Sequence, residues 1–288
     1  MTEEKHKWEV GMELDPGKHL NITESQYHSL PYLSSTRIKA AANNLASCLV
    51  PIEETNEMLL GKLIHSICLE GEETFDKAYI VEPDFGLNKN SNAYKEKRAE
   101  FESETVGRRI VPAKFNQVPT MDILNGVKKS LLEHPWSKAL MKTGQEELTL
   151  IAHDPVTNEK LKARLDWYPE KLSIVDLKKT ADISRFKYQL SSLHYDLQAG
   201  FYSMVSELCG MPVDTFFFIA VEANPPYPVL VGYLSEDRMA IANQEVSRLI
   251  GLIHEAREMN WWPAFKVPHE FMSLKQISES PRELLEVF

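Results

Sequence analysis

The sequence predicts one α/β domain with a mixed central sheet flanked by helices. Its hydrophobic spacing is helical at first, changes to period two near residue 145, and later returns to the helical period. The resulting order is helices, a three-strand meander, a helix, two strands and a helix. No internal repeat, low-complexity block or Gly-rich phosphate loop interrupts it.

Residues 1–35 read as irregular up to "SSTRIKAAANNLASCL", where Ser34 or Ser35 caps an alanine-rich helix. "TNEMLLGKLIHSICLEG" reads as a second helix. Leu59, Leu60, Leu63, Ile64, Ile67 and Cys68 recur at helical spacing, and Gly71 is its stop signal. "KAYIVEP" is a short strand ended by Pro83, and residues 84–105 are a polar loop plus an exposed helix. Residues 113–142 read as helical, with Pro135 opening the last segment. "EELTLIAHD", "EKLKARLDWYP" and "LSIVDLKKT" then read as three strands, the first two joined by the hairpin loop "DPVTNEK". "SRFKYQLSSLHYDLQAGFYSMVSELCG" is one long amphipathic helical region with Gly210 beyond its end. "DTFFFIAVEANPP" is a strand stopped by Pro225 and Pro226, and "YPVLVGYLS" is another. "EDRMAIANQEVSRLIGLIHEAREMN" is a long helix, followed by "WWPAF" and further polar helical residues. The expected organisation is a single domain over residues 1–288. Its core covers 27–265, with a polar insertion at 84–105 and a tail at 266–288.

A chain of 288 residues can bury a substantial core, and 43% hydrophobic with 26% charged residues is ordinary for a globular protein. No apolar run approaches the roughly 20 residues of a membrane helix. The N-terminal stretch lacks the apolar segment of a secretory signal, so a cytoplasmic location is expected. Cys48, Cys68 and Cys209 are odd in number and form no C-x-x-C pair. They suit neither a disulfide framework nor a four-thiolate iron–sulfur cluster. No GxxxxGK[ST] or GxGxxG supports nucleotide binding. The net charge of −10 speaks against a generic nucleic-acid coat. Residues 160–187 are different: eight basic and four acidic side chains give a local +4. A solvated strand-and-loop face would give the same count.

The stretch "RLDWYPEKLSIVDLKKT" places Asp166, Asp176 and Lys178 in strands that otherwise read as core. Two carboxylates on adjacent strands suit a hard cation such as Mg²⁺, which keeps open positions for phosphate oxygens. The metal lowers the pKa of a bound water and screens charge on a scissile phosphate. A lysine beside it orients or activates that water, or stabilises the developing charge. His65 on the second helix is a further metal-ligand candidate. Glu147 opens the strand before Asp166, and spacing alone does not choose between it and Glu146. Gln198 and Tyr202 stand at i and i+4, on one helix face that could meet a phosphate. Each residue has a plainer reading as well. The aspartates could be structural acids paired with Arg164 or Lys178, His65 a core histidine, and Gln198 and Tyr202 ordinary helix-surface residues. Their occurrence in one order is what unites them: helix His, strand Glu, strand Asp, strand Asp-x-Lys, helix Gln-x-x-x-Tyr.

That ordered set resembles the PD-(D/E)XK nuclease superfamily, and within it the RecE (exonuclease VIII) type of phage and prophage exodeoxyribonuclease. The resemblance runs from about Tyr27 to the "WWPAF" segment and is most specific in "LDWYPEKLSIVDLKKTADISRF". It implies a restriction-endonuclease-like core with Asp166 and Asp176 as ligands to Mg²⁺, or to Mn²⁺ in its place. The Leu177 carbonyl would assist them. Lys178 would be the catalytic lysine and His65 a metal-site residue. Glu147 would be an acid near the metal, with Gln198, Tyr202, Lys179 and Arg164 toward substrate. The sequence departs from the pattern at Lys179, where threonine is expected, and has leucine rather than proline before Asp166. The resemblance further implies 5′–3′ digestion of linear duplex DNA for recombination by strand annealing. A ring or toroid of subunits and a RecT-like annealing protein as partner go with it. In such a ring only the channel wall is basic, and residues 160–187 are the expected wall.

Two other readings stand beside this one. A nuclease of the same fold but different habit would cut structures or circles, and its iron–sulfur version is disfavoured by the cysteine count. An inactive or DNA-mimicking protein of this fold is disfavoured by the intact Asp166, Asp176 and Lys178 set.

Overall fold

The computed structural model describes residues 13–169 and 172–264. The chain starts with β1 (Gly17–His19), α1 (Glu24–Ser29), β2 (Leu33–Ser34) and α2 (Ser35–Asn43). This corrects the expectation of irregular structure before the alanine-rich helix. The short strands owe their existence to distant partners: Lys18 pairs with Leu150 and Leu33 with Leu161. A 3₁₀ turn (Leu45–Leu49) leads to α3 (Asn56–His65), whose Thr55 side chain caps the Met58 N–H. A π-helical turn (Ser66–Glu70) follows, and Gly71 at φ +90° lets the chain turn into α4 (Glu72–Ala78).

Next come β3 (Tyr79–Val81), α5 (Asn92–Glu104) and β4 (Arg109–Val111), β3 and β4 forming a small parallel pair of their own. Helix α5 has no buried residue, as its composition suggested. Residues 113–142 are not helical throughout. They begin with the small hairpin β5 (Lys114–Phe115) and β6 (Val118–Pro119), where Asn116 and Gln117 turn at positive φ. Only then do α6 (Thr120–Glu133) and α7 (Pro135–Leu140) start.

The meander is β7 (Gly144–His153), β8 (Lys160–Pro169) and β9 (Ser173–Thr180), consecutive pairs antiparallel. The long helical region breaks in three. A 3₁₀ turn (Ile183–Arg185) and α8 (Phe186–Ser192) precede α9 (Tyr195–Leu208), and His194 at φ +53° makes the corner. Strand β10 (Thr215–Glu222) lies parallel to β9, and β11 (Val229–Tyr233) closes the sheet antiparallel to β10 before α10 (Glu236–Glu258). The sheet order is β1-β7-β8-β9-β10-β11, with β2 beside β8. It is the expected mixed sheet between helices. The tail at 266–288 lies outside the described residues. No helix among those described is long and apolar enough to cross a membrane.

Two cores sandwich the sheet. On one face Ile38, Phe201, Val205, Leu249 and Ile253 from α2, α9 and α10 meet Leu150, Leu165, Ile174, Phe216 and Phe218. On the other, Leu60, Leu63, Ile64, Ile123 and Val127 from α3 and α6 meet Val175, Leu177, Ile219 and Val221. Phe201, Phe216 and Phe218 are fully enclosed, each contributing about 1.5–3 kcal/mol by burial. Helix α9 is thereby fixed over β7 and β8 on one face, and α3 over β9 on the other.

Strand β8 does not keep strict alternation. Leu161, Ala163 and Leu165 belong to the first core, Trp167 packs against the second, and Tyr168 returns to the first. The pattern slips by one residue at Asp166. Opposite it, between the pairs Glu146↔Trp167 and Leu148↔Leu165, Glu147 has φ +47°. Such an irregularity re-aims side chains at a sheet's working end.

Candidate active site

The slip on β8 and the divergence of β8 from β9 put Asp166 at an open place in the sheet. The two strands share the single bridging pair Trp167↔Val175. Asp166 Oδ2 accepts the Leu177 N–H at 2.8 Å. His65, the last residue of α3, reaches in from the helical layer. Its Nε2 lies 2.7 Å from the Leu177 carbonyl, and its Nδ1 lies 3.6 Å from Asp166 Oδ2. A carbonyl only accepts, so Nε2 donates, and in the neutral ring Nδ1 presents its lone pair to Asp166. Glu147 completes a group: ligand atoms of His65, Glu147 and Asp166 all lie within 4.8 Å of one another. The arrangement also decides between neighbours, since it is Glu147 and not Glu146 that joins this group. Arg164 holds the Glu147 carboxylate and also donates to the Ile22 carbonyl at 2.6 Å.

A second group adjoins the first. Asp176 is fully buried, and its Oδ1 accepts from Gln198 Nε2 at 2.8 Å. Its Oδ2 faces the Lys178 ammonium as a close ion pair, at an angle that leaves Oδ2 without an aligned hydrogen bond. A buried carboxylate oxygen in that condition is a natural cation ligand. The two groups influence each other. Burial first, and then the Asp176 charge, push the Asp166 carboxyl up to about 7. Burial pulls the Lys178 ammonium down, but Asp176 and Asp166 outweigh it and hold the group above the ordinary lysine value.

Two cavities meet at His65 and Lys62. One, of about 1010 Å³, is walled by acids, with Glu24, Glu70, Glu146, Glu147 and Asp166 on its lining. Burial and Glu147 raise the Glu70 carboxyl within it. The other, of about 660 Å³, has Lys39, Lys178 and Lys179 on its wall beside Tyr195 and Gln198. Gln198 and Tyr202 are buried, not surface residues: Gln198 serves Asp176, and Tyr202 lines the acidic cavity.

The local +4 does not form one basic wall. Lys160 pairs with Glu13, and Lys162 is buried against the Tyr27 and Leu30 carbonyls. Arg164 and Lys178 are paired to acids of the site, and Lys179 to Glu57 of α3. Lys171 lies outside the described residues. Spacing in sequence could not show which cations fold inward. Lys39 and Tyr195 also line this site, beyond the residues the sequence pattern marks. Tyr195 stands three residues before Gln198 on the same helix, so the i, i+3 rule could have found it. Nothing in the alanine-rich stretch around Lys39 marks that lysine.

Residues 25–266 match the family described as a PDDEXK-like domain of unknown function, DUF3799. The chain belongs to that family. Among solved structures, this PDDEXK-like chain is similar to the crystal structure of a "putative exonuclease" from Eubacterium rectale. The two are 14% identical with a TM-score of 0.54, covering 89% of this chain and 98% of that one. At that identity the likeness shows the fold alone. The crystal structure of SSO0001 aligns with a TM-score of 0.28 and 12% identity over 66% of this chain and 84% of that one. No curated protein matches the sequence. The PDDEXK-like fold accounts for the sheet order, and the His, Glu and Asp cluster in it is of a kind that could hold a divalent metal ion.

Proposed function

We propose that this PDDEXK-like chain is a metal-dependent nuclease. More narrowly, we read it as a Mg²⁺-dependent 5′–3′ exodeoxyribonuclease acting on linear duplex DNA in phage-type recombination. The observation that carries the reading is the meeting of Asp166, Asp176 and Lys178 where β8 and β9 diverge, with His65 and Glu147 closing the cluster. The donor set fits a hard cation. It offers carboxylate oxygens and one imidazole nitrogen, and Asp176 Oδ2 has no aligned donor. Asp166, Asp176, His65 and Glu147 would hold the metal, and the Leu177 carbonyl keeps a second lone pair beyond the one that faces His65. When bound, the metal would supply an activated water and charge screening at the phosphate.

The chain's own groups do the rest. Asp176 and Asp166 favour the Lys178 ammonium, which suits it to donate to developing negative charge. Gln198 fixes Asp176 through Oδ1, so that Oδ2 keeps its direction. Arg164 neutralises Glu147 and ties it to the Ile22 backbone. The polarity of digestion, the ring of subunits and a RecT-like partner rest on the resemblance of the "LDWYPEKLSIVDLKKT" segment to RecE-type enzymes.

The test is digestion of linear and closed-circular duplex DNA with Mg²⁺, comparing the native chain with Asp176→Asn and Lys178→Ala. Loss of linear DNA, survival of circles and inactivity of both variants support the reading, and end-labelling then gives polarity. Cutting of circles replaces it with an endonuclease. No cleavage by the native chain with any divalent metal overturns it.

A further inference from the structure

Lys39 has no role in the chemistry above, yet it sits beside it. From α2 it extends to α9, where its Nζ donates to Gln198 Oε1 at 3.3 Å and lies 5.6 Å from the centre of the Tyr195 ring. The Lys178 ammonium lies 5.1 Å from the same ring. The two cations share one cavity wall, but their circumstances differ. Lys178 has Asp176 and Lys179 has Glu57, whereas Lys39 forms no ion pair among the described residues. A half-buried ammonium with no direct ion pair among the described residues, open to a cavity of about 660 Å³, is a site that an anion would complete.

We propose that Lys39, with Tyr195 and the wall of this cavity, forms an anion subsite for a nucleic-acid phosphate next to the scissile one. The inference rests on the nuclease reading and extends it by giving the strand a second point of attachment. Burial first, and then the nearby Lys178 charge, lower the Lys39 ammonium to about 8, against an opposing pull from Asp176 and Asp166. The path is short: Gln198 touches Lys39 through its oxygen and Asp176 through its nitrogen, so the subsite and the cluster are held at fixed spacing. The phosphate could be a diester inside the strand or a monoester at its end.

The experiment is fluorescence anisotropy of labelled duplex DNA in EDTA, where binding is read without cleavage, across a series of salt concentrations. Lys39→Met and Lys39→Gln are expected to weaken binding several-fold, and to lower the slope of log K against log salt by about one. Lys39→Arg is expected to keep most of both. Lys160→Met, which alters a cation paired to Glu13, serves as the control. A thermal melt checks each fold, and Lys39→Gln decides if Lys39→Met is unstable. Loss confined to end-phosphorylated duplexes assigns the monoester, and equal loss with and without end phosphates assigns the diester. Unchanged affinity and slope in the Lys39 variants, with the native chain active on DNA, overturns the subsite alone. A native chain that neither binds nor cuts DNA overturns the nuclease reading and the subsite with it.

Discussion

His65 Nε2 lies 2.7 Å from the Leu177 carbonyl while its Nδ1 points at Asp166 Oδ2, 3.6 Å away. One contact fixes the ring and the other aims it, an arrangement that suits metal ligation because the second nitrogen sets the tautomer. His65→Ala should therefore weaken divalent-metal binding by about tenfold or more. Isothermal titration with Mn²⁺ measures this directly. Affinity equal to that of the native chain would remove His65 from the site.

Lys178→Ala should lower the rate of DNA cleavage by about 10²–10³, the usual cost of losing a donor to developing charge. It also leaves the fully buried Asp176 without its cation, so the metal-free protein should melt at lower temperature. Added Mg²⁺ should restore part of that loss. Scanning calorimetry with EDTA and with Mg²⁺ separates the two effects.

Asp166 gives a pH dependence of known sign. Its carboxyl is raised from 3.8 to about 7, chiefly by burial. Between those values the folded chain holds a proton that the unfolded chain has released. The contribution of Asp166 to stability of the metal-free protein should fall as pH rises from about 4 to about 7, by at most about 1.4 kcal/mol per pH unit, against the opposite contribution of acids held low such as Glu24. It should flatten above that. Urea unfolding in EDTA across this range tests it by comparison with Asp166→Asn, whose stability should rise more, or fall less, with pH than that of the native chain.

Gly200 tests the seating of Gln198. A Cβ at Gly200 would stand 3.0 Å from the Ala242 backbone carbon, where α9 crosses α10. Gly200→Ala should cost about 1–3 kcal/mol by overpacking. Because α9 also carries Gln198, cleavage should drop at temperatures where the variant remains folded. Chemical denaturation and steady-state kinetics check the two halves.

The meander was legible because period-two alternation survives in any local window, and because Asp166, Asp176 and Lys178 break an apolar pattern. The N-terminal strands were not, since strands of two or three residues exist only through pairing with Leu150 and Leu161, over a hundred residues away. The break at His194 was hidden because its neighbours keep helical composition and only its backbone is left-handed. The cluster's membership was partly written in order along the chain. Its division into an acidic and a basic cavity was not, because Lys160 and Lys162 are drawn off by Glu13 and by backbone carbonyls that folding alone brings near.

The π-helical turn at Ser66–Glu70, directly after His65, sets how this chain can change over time. Such a turn carries one residue more than the α-helix it interrupts. Removing one residue there would yield a smoother helix, at little cost to the helix itself. It would also rotate everything before the turn by about 100° relative to everything after it, carrying His65 off Leu177 and Asp166. A deletion there would thus act on the site directly, whereas substitution of the buried Ile67 or Leu69 would act through the core. Length, as well as the apolar character of Ile67 and Leu69, is what this segment has to preserve.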